Sequence, residues 1–179
     1  MAQLEILRYP DPLLKQVSRP VAGITDDTIR LIHDMVETMY AAPGVGLAAP
    51  QVGQLQRIIV VDVDYENPGK NLIKLVNPVI EKTEGEVVWE EGCLSVFDFT
   101  AEVKRAARVV VAGLDEKETE VKVEAEELLA VALQHEIDHL DGKLFIDHIS
   151  RLKRDLYTRK LKKKMREGKL EPESQRVMI

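Results

Sequence analysis

Two hydrophobic periods divide the chain. Ile29, Ile32, Met35, Val36, Met39 and Tyr40 recur at helical spacing. Thr25 precedes them as a good N-cap, Asp26 and Asp27 suit a positive first turn, and Pro43-Gly44 ends the run. His33 on this helix has no companion at ligand spacing and reads as structural. The middle of the chain changes to β-branched runs. Arg57 to Val63 and Leu72 to Ile80 flank the turn-forming Asn67-Pro68-Gly69, and Thr83 to Trp89 is a further candidate strand. Val103 to Leu114 and Thr119 to Ala125 predict a hairpin across the polar Asp115-Glu116-Lys117-Glu118. A second helix is predicted from near Ala125 through His139. Its stretch from Leu128 to Leu133 is apolar nearly all round, which predicts burial, and Gly142 stops it. A third helix is predicted from Ser150 to about Glu167. The opening Tyr9-Pro10-Asp11-Pro12 is too rich in proline for regular structure and predicts an arm on the surface. Together these elements predict an α+β fold, with mixed or antiparallel sheets wrapped around a central buried helix and a helix at the C-terminus.

A length of 179 residues suits one domain. Residues 1–149 are expected to form its body, with the basic helix and tail 150–179 packed on the same domain. With 45% apolar and 31% charged residues, a soluble globular protein is expected. The apolar runs fall short of the ~18 residues of a membrane span, so no membrane association is expected. Met1 to Ile6 lacks a basic-then-apolar signal pattern, which makes a cytoplasmic location the expectation. The single cysteine, Cys93, excludes an internal disulfide. The net charge of −6 hides an asymmetry. From Arg151 to Lys169 ten basic residues stand against two acids, a local charge of +8 that leaves −14 for the rest. Such a block is either a solvated helix or a patch for nucleic acid.

The candidate chemistry begins with His135-Glu136-Ile137-Asp138-His139 on the second helix. Histidines at i and i+4 lie on one face, a turn apart, and can bind one divalent metal. Glu136 between them projects close enough to act on a water at that metal. Unpaired histidines and a glutamate would be costly in the interior of so apolar a helix, which favours the ligand reading. A third ligand is then required. One protease class takes it from a histidine about six residues on, with a glycine between; Gly142 falls at the glycine offset, but the ligand position holds Phe145. Another class takes a glutamate from the next helix, where this chain has Arg159, at about twenty residues beyond His139. His148 is a candidate, but its Asp147-His148-Ile149 context reads as a helix entry and favours a satisfied structural histidine. Cys93, in the turn-like Glu90-Glu91-Gly92-Cys93-Leu94-Ser95, would complete a set of one thiolate and two imidazoles, leaving a fourth position for water. Such a set suits Zn²⁺, Fe²⁺, Co²⁺ or Ni²⁺.

Three segments, Gly44-Val45-Gly46-Leu47-Ala48-Ala49-Pro50-Gln51, Glu91-Gly92-Cys93-Leu94-Ser95 and Gln134-His135-Glu136-Ile137-Asp138-His139, resemble the signature motifs of bacterial-type peptide deformylases. They stand in that family's order and approximate spacing, and the similarity extends from Leu7 to the tail. The resemblance implies metal-dependent hydrolysis of the formyl group from N-formyl-methionyl nascent peptides, with release of formate. It implies Cys93, His135 and His139 as metal ligands and Glu136 as general base and then general acid. The Gln51 amide and the Leu94 backbone N–H would face the oxyanion, and Gly44 to Gly46 would offer backbone groups to the peptide. The implied native ion is Fe²⁺, one per chain, with Zn²⁺, Ni²⁺ or Co²⁺ able to substitute. The implied setting is a bacterial cytoplasm, with a monomer expected. Two positions depart from the family: Phe97 stands where a proline is common, and Thr100 where an arginine or tyrosine is frequent. The alternative reading is a zinc endopeptidase built on the same helix.

Further expectations follow. Leu128, Val131 and His135 share a helix face one to two turns before the ligands, which with Val45 predicts a methionine-sized pocket. Glu91, two residues before the cysteine, is expected to pair with Arg105. The basic C-terminal helix is expected to dock on the ribosome, anchored to the body by Leu152, Leu156 and Tyr157.

Overall fold

The computed structural model describes residues 2–168. Residues 169–179 of the expected tail, including Lys169 of the basic block, lie outside the described residues. The fold is α+β. A five-stranded antiparallel sheet is formed by β1 (Gly46–Ala48), β2 (Ile58–Val61), β3 (Ile73–Glu84), β6 (Arg108–Leu114) and β7 (Glu120–Glu126), in the order β1-β2-β3-β6-β7. A separate antiparallel ribbon pairs β4 (Val87–Cys93) with β5 (Val96–Arg105). Three α-helices, α1 (Asp26–Ala41), α2 (Glu127–Leu140) and α3 (Arg151–Arg166), complete the described chain.

The alternation of side chains along β2 explains the layering. Ile58 and Val60 point to one face, where they join Ile32, Met35 and Met39 of α1. Ile59 and Val61 point to the other, where they join Val131, Leu133, Ile137 and Leu140 of α2. All four β2 residues are fully buried, and each such side chain contributes about 1.5–3 kcal/mol. A third cluster lies between the ribbon and α3, where Cys93, Val96 and Val103 meet Leu14, Phe145, Tyr157 and Leu161. A two-stranded ribbon is marginal in water alone. This one is held by ring stacking: Phe99 lies 6.0 Å from the Phe145 ring and 4.4 Å from that of Tyr157.

Several boundaries differ from the sequence expectation, each for a physical reason. Thr83 and Glu84 end β3 instead of opening a new strand, because Gly85 at φ +66° turns the chain before β4. The run from Val103 to Leu114 is broken at Ala106 and Ala107 and divided between the ribbon and the large sheet. Gln134 of α2 fills the break, with its carbonyl accepting from Ala106 N–H at 3.0 Å and its amide donating to Ala106 O at 3.0 Å. On α3 the anchoring pair is Tyr157 and Leu161, whereas Leu152 and Leu156 are 70% and 56% exposed.

The opening arm also differs. Its prolines exclude a strand or α-helix, but it does not lie free on the surface. Ala2 N–H donates to Asp34 (2.7 Å) and Leu4 N–H to Thr38 Oγ1 (2.9 Å), both on α1. Leu7 N–H then donates to the Gln51 carbonyl (2.7 Å) and Tyr9 N–H to the Ser95 carbonyl (2.7 Å). Among the described residues no helix is long and apolar enough to cross a membrane.

Candidate metal centre

His135 and His139 sit in the last two turns of α2, both 1% exposed, with ring centroids 5.0 Å apart. Cys93, also 1% exposed, ends β4 at the tight connection to β5. Folding thus brings one thiol and two imidazoles together, with one ligand atom from each lying within 4.8 Å of the others. Cys93 Sγ is 3.3 Å from His139 Nε2.

The surroundings fit a cation. His135 Nδ1 donates to Glu91 at 2.8 Å, which fixes the tautomer and leaves Nε2 buried without a hydrogen-bond partner among the described residues. Both Glu136 oxygens and His139 Nδ1 are likewise buried and unpartnered. Buried polar atoms are costly to leave so, which argues that a ligand belongs there. Burial lowers the affinity of His135 for a proton, but the Cys93 sulfur and Glu91 carboxylate outweigh it and hold its pKa well above the usual value. Burial and the neighbouring His135 hold His139 well below it. Burial pushes Glu136 up to about 7.

The surrounding segments are shaped to this cluster. Gly46 faces Glu136 so closely that a Cβ there would lie 2.3 Å from Oε1. A Cβ on Gly44 would lie 2.7 Å from Leu94 Cδ1. Gln51 is held at both ends: Oε1 accepts from Ala48 N–H (2.8 Å), and Nε2 donates to Ser95 Oγ (3.1 Å) while lying 3.7 Å from Cys93 Sγ. Val45 and Val131 are fully buried in the α2 core cluster, with Leu128 half-buried against it. Glu91 does pair with Arg105, through two hydrogen bonds of 2.7 and 3.0 Å. Sequence reasoning missed two groups here. Gln134 braces the β5–β6 break, and Asp138 accepts from Arg105 at 2.5 Å and from His148 at 2.6 Å. Polar residues at buried positions of an apolar helix were the available signal, since each requires a partner.

The polypeptide deformylase family model matches residues 3–155. The chain belongs to the polypeptide deformylase family. It is 53% identical over 168 residues to the peptide deformylase of Syntrophobacter fumaroxidans, covering 94% of this chain and 99% of that one. The peptide deformylase of Thermodesulfovibrio yellowstonii is 54% identical over 164 residues, covering 92% and 99%. Among solved structures, a peptide deformylase from Legionella pneumophila superposes with a TM-score of 0.88 at 44% identity, covering 96% of this chain and 100% of that one. One from Ehrlichia chaffeensis, in complex with actinonin, superposes with a TM-score of 0.86 at 40% identity, covering 93% and 99%. A peptide deformylase is a hydrolase that removes the formyl group from N-formylmethionyl peptides, and this assignment disfavours the endopeptidase alternative. His148, the other sequence candidate for a third ligand, is engaged by Asp138, and the cluster contains Cys93 instead.

Proposed function

We propose that Cys93, His135 and His139 hold the metal of this deformylase and that Glu136 moves the proton. The convergence of these three ligand atoms beside a buried, unpartnered carboxylate carries the reading. Fe²⁺ is the proposed native ion, one per chain, with Zn²⁺, Ni²⁺ or Co²⁺ as substitutes; the soft sulfur and two imidazoles suit all four. When bound, such an ion supplies Lewis acidity that acidifies water and polarises the formyl carbonyl.

The residues of the chain divide the remaining work. Glu136, on the helix between the two histidines of the His-Glu-x-x-His segment, takes the proton of the attacking water. Burial, which raises its pKa, suits it to return that proton to the leaving amine nitrogen. The Gln51 amide and the Leu94 backbone N–H meet the oxygen that gains charge, and losing one such donor typically raises the barrier by about 2.7–4 kcal/mol. The Ala48 and Ser95 contacts of Gln51 hold its amide beside Cys93, and the N–H that faces the sulfur is the one that would turn to the oxyanion. Gly44, Val45 and Gly46 receive the peptide backbone, and Val45, Leu128, Val131 and His135 line the methionine pocket.

Residues 1–149 supply every group of this site. We further assign the helix and tail from 150 to 179 to the same domain, with the role of docking the monomeric, cytoplasmic enzyme on the ribosome, where formylated N-termini emerge. The +8 block on a body of charge −14 supports that role. The deciding assay compares formate release from formyl-Met-Ala-Ser with cleavage of casein, after anaerobic Fe²⁺ loading. Formate release without casein cleavage is expected. Casein cleavage without formate release would overturn the reading.

A further inference from the structure

The two halves of the metal centre come from pieces of the fold that share no backbone ladder. Cys93 lies on the β4–β5 ribbon, and the histidines lie on α2, which packs on the five-stranded sheet. With no ladder between them, direct contact between the two halves rests on side chains, beside the backbone ties of the opening arm to Ser95 and Leu140. Arg105, on β5, is 6% exposed and uses all three guanidinium nitrogens. Nε and Nη2 donate to the two oxygens of Glu91 on β4, at 2.7 and 3.0 Å. Nη1 donates to Asp138 Oδ2 on α2, at 2.5 Å. The Glu91 oxygen that receives Nη2 also accepts from His135 Nδ1 at 2.8 Å. Asp138 is steadied from outside by His148 Nε2 at 2.6 Å. The ring of contacts is closed: ribbon to guanidinium, guanidinium to helix, and helix back to ribbon through His135 and Glu91.

We propose that Arg105 is a positioning residue of the metal centre, fastening the cysteine ribbon to the histidine helix and fixing the carboxylate that orients the His135 ring. This inference rests on Cys93, His135 and His139 being the ligands. A planar fork with donors on three sides is needed to reach Glu91 twice and Asp138 once. A lysine ammonium carries the same charge on one atom and cannot reproduce that geometry. Partners that orient a metal-binding histidine commonly account for 10–100-fold in metal affinity.

The test starts from Co²⁺-loaded protein. The readouts are the thiolate-to-cobalt absorption band and the rate of Co²⁺ release to excess EDTA. Arg105→Lys is expected to keep the far-UV circular dichroism of the parent, shift the band and release the ion about 10–100-fold faster. Asp138→Asn, which keeps the Glu91 pair and weakens the tether to α2, should release it about 10-fold faster, at the low end of that range. Val76→Ala, a cavity on β3 in the α1 cluster, lowers stability without touching the ring of contacts and should release Co²⁺ at the parental rate. If Arg105→Lys shows the parental band and release rate while Cys93→Ala loses the ion, the positioning role is wrong and the ligand assignment stands. If Cys93→Ala retains the ion with the parental band, the ligand assignment fails and the inference with it. Should Arg105→Lys not fold, Asp138→Asn decides alone, and parental release from it overturns the proposal.

Discussion

Replacing Gly46 with alanine tests how tightly the proton-carrying group is held. A Cβ at this position would lie 2.3 Å from Glu136 Oε1 and 2.8 Å from Cδ and Cγ, against an ordinary contact of at least 3.4 Å. The overlap with Oε1 is therefore about 1.1 Å, the difference between those two distances. Gly46 is not in the left-handed region, so contact and not backbone strain sets the cost. Glu136 is 1% exposed and cannot swing into solvent. Either the carboxylate moves by about an ångström or β1 does. Overpacking of this kind costs about 1–3 kcal/mol of stability. Misplacing a catalytic group by about 1 Å costs on the order of 100-fold in rate. The expected result is a fall of about 100-fold in kcat for formate release, with metal content by elemental analysis unchanged. A Gly46→Ala enzyme with full metal and a kcat within about threefold of the parent would refute the argument that this glycine makes room for Glu136.

Other outcomes follow from the same geometry. Cys93→Ala and His135→Ala are expected to lose the metal, whereas Glu136→Ala should keep it and lose turnover; elemental analysis beside formate release separates the two classes. Val131→Ala, at a fully buried position, should cost about 2 kcal/mol in urea unfolding and change the kcat/KM ratios among formyl-Met, formyl-Leu and formyl-Phe peptides; unchanged ratios would remove Val131 from the pocket. Exchanging the exposed Lys160, Lys162 and Lys163 for glutamine should leave hydrolysis of a free formyl-peptide intact and move co-sedimentation with ribosomes to lower salt; equal sedimentation at every salt concentration would sink the docking idea. Burial raises the Asp138 pKa, but the His148 hydrogen bond and the Arg105 charge prevail and bring it from 3.8 to about 2. Because the folded value is depressed, the associated stability of about 2 kcal/mol is complete above pH ~4 and lost as pH falls through about 2. The gap in unfolding free energy between the parent and Asp138→Asn should narrow over that window, and a gap that stays constant from pH 7 to pH 2 would contradict this.

Local patterns in the chain expressed much of this structure. The spacing of His135 and His139 is a property of one helix, so it could be read without knowing what packs around it. Thr25 as an N-cap and the two faces of α1 were legible for the same reason. The sequence was silent where a distant residue makes the decision. The β-branched run from Val103 to Val111 has one continuous period, and it is Gln134, on another element, that braces its division between two sheets. On α3, periodicity offers two i, i+4 pairs, Leu152 with Leu156 and Tyr157 with Leu161. They point about 140° apart, because five residues separate their members. Only the aromatic stack on Phe99 and the hydrogen bond from Tyr157 Oη to the Phe97 carbonyl (2.9 Å) choose the second. Arg105 was expected on Glu91, but its reach to Asp138 depends on how the ribbon sits against α2, which no local pattern encodes.

The arm that opens the chain has a mechanical consequence. Its four backbone amides tie α1 in turn to the carbonyls of Gln51 and Ser95, so it is a strap drawn across the two loops that flank the cysteine. The arm thereby couples α1 to the carbonyl of Gln51, whose amide lies against Cys93. A bulky tag joined ahead of Ala2 is therefore expected to disturb the Gln51 segment and lower kcat for formate release.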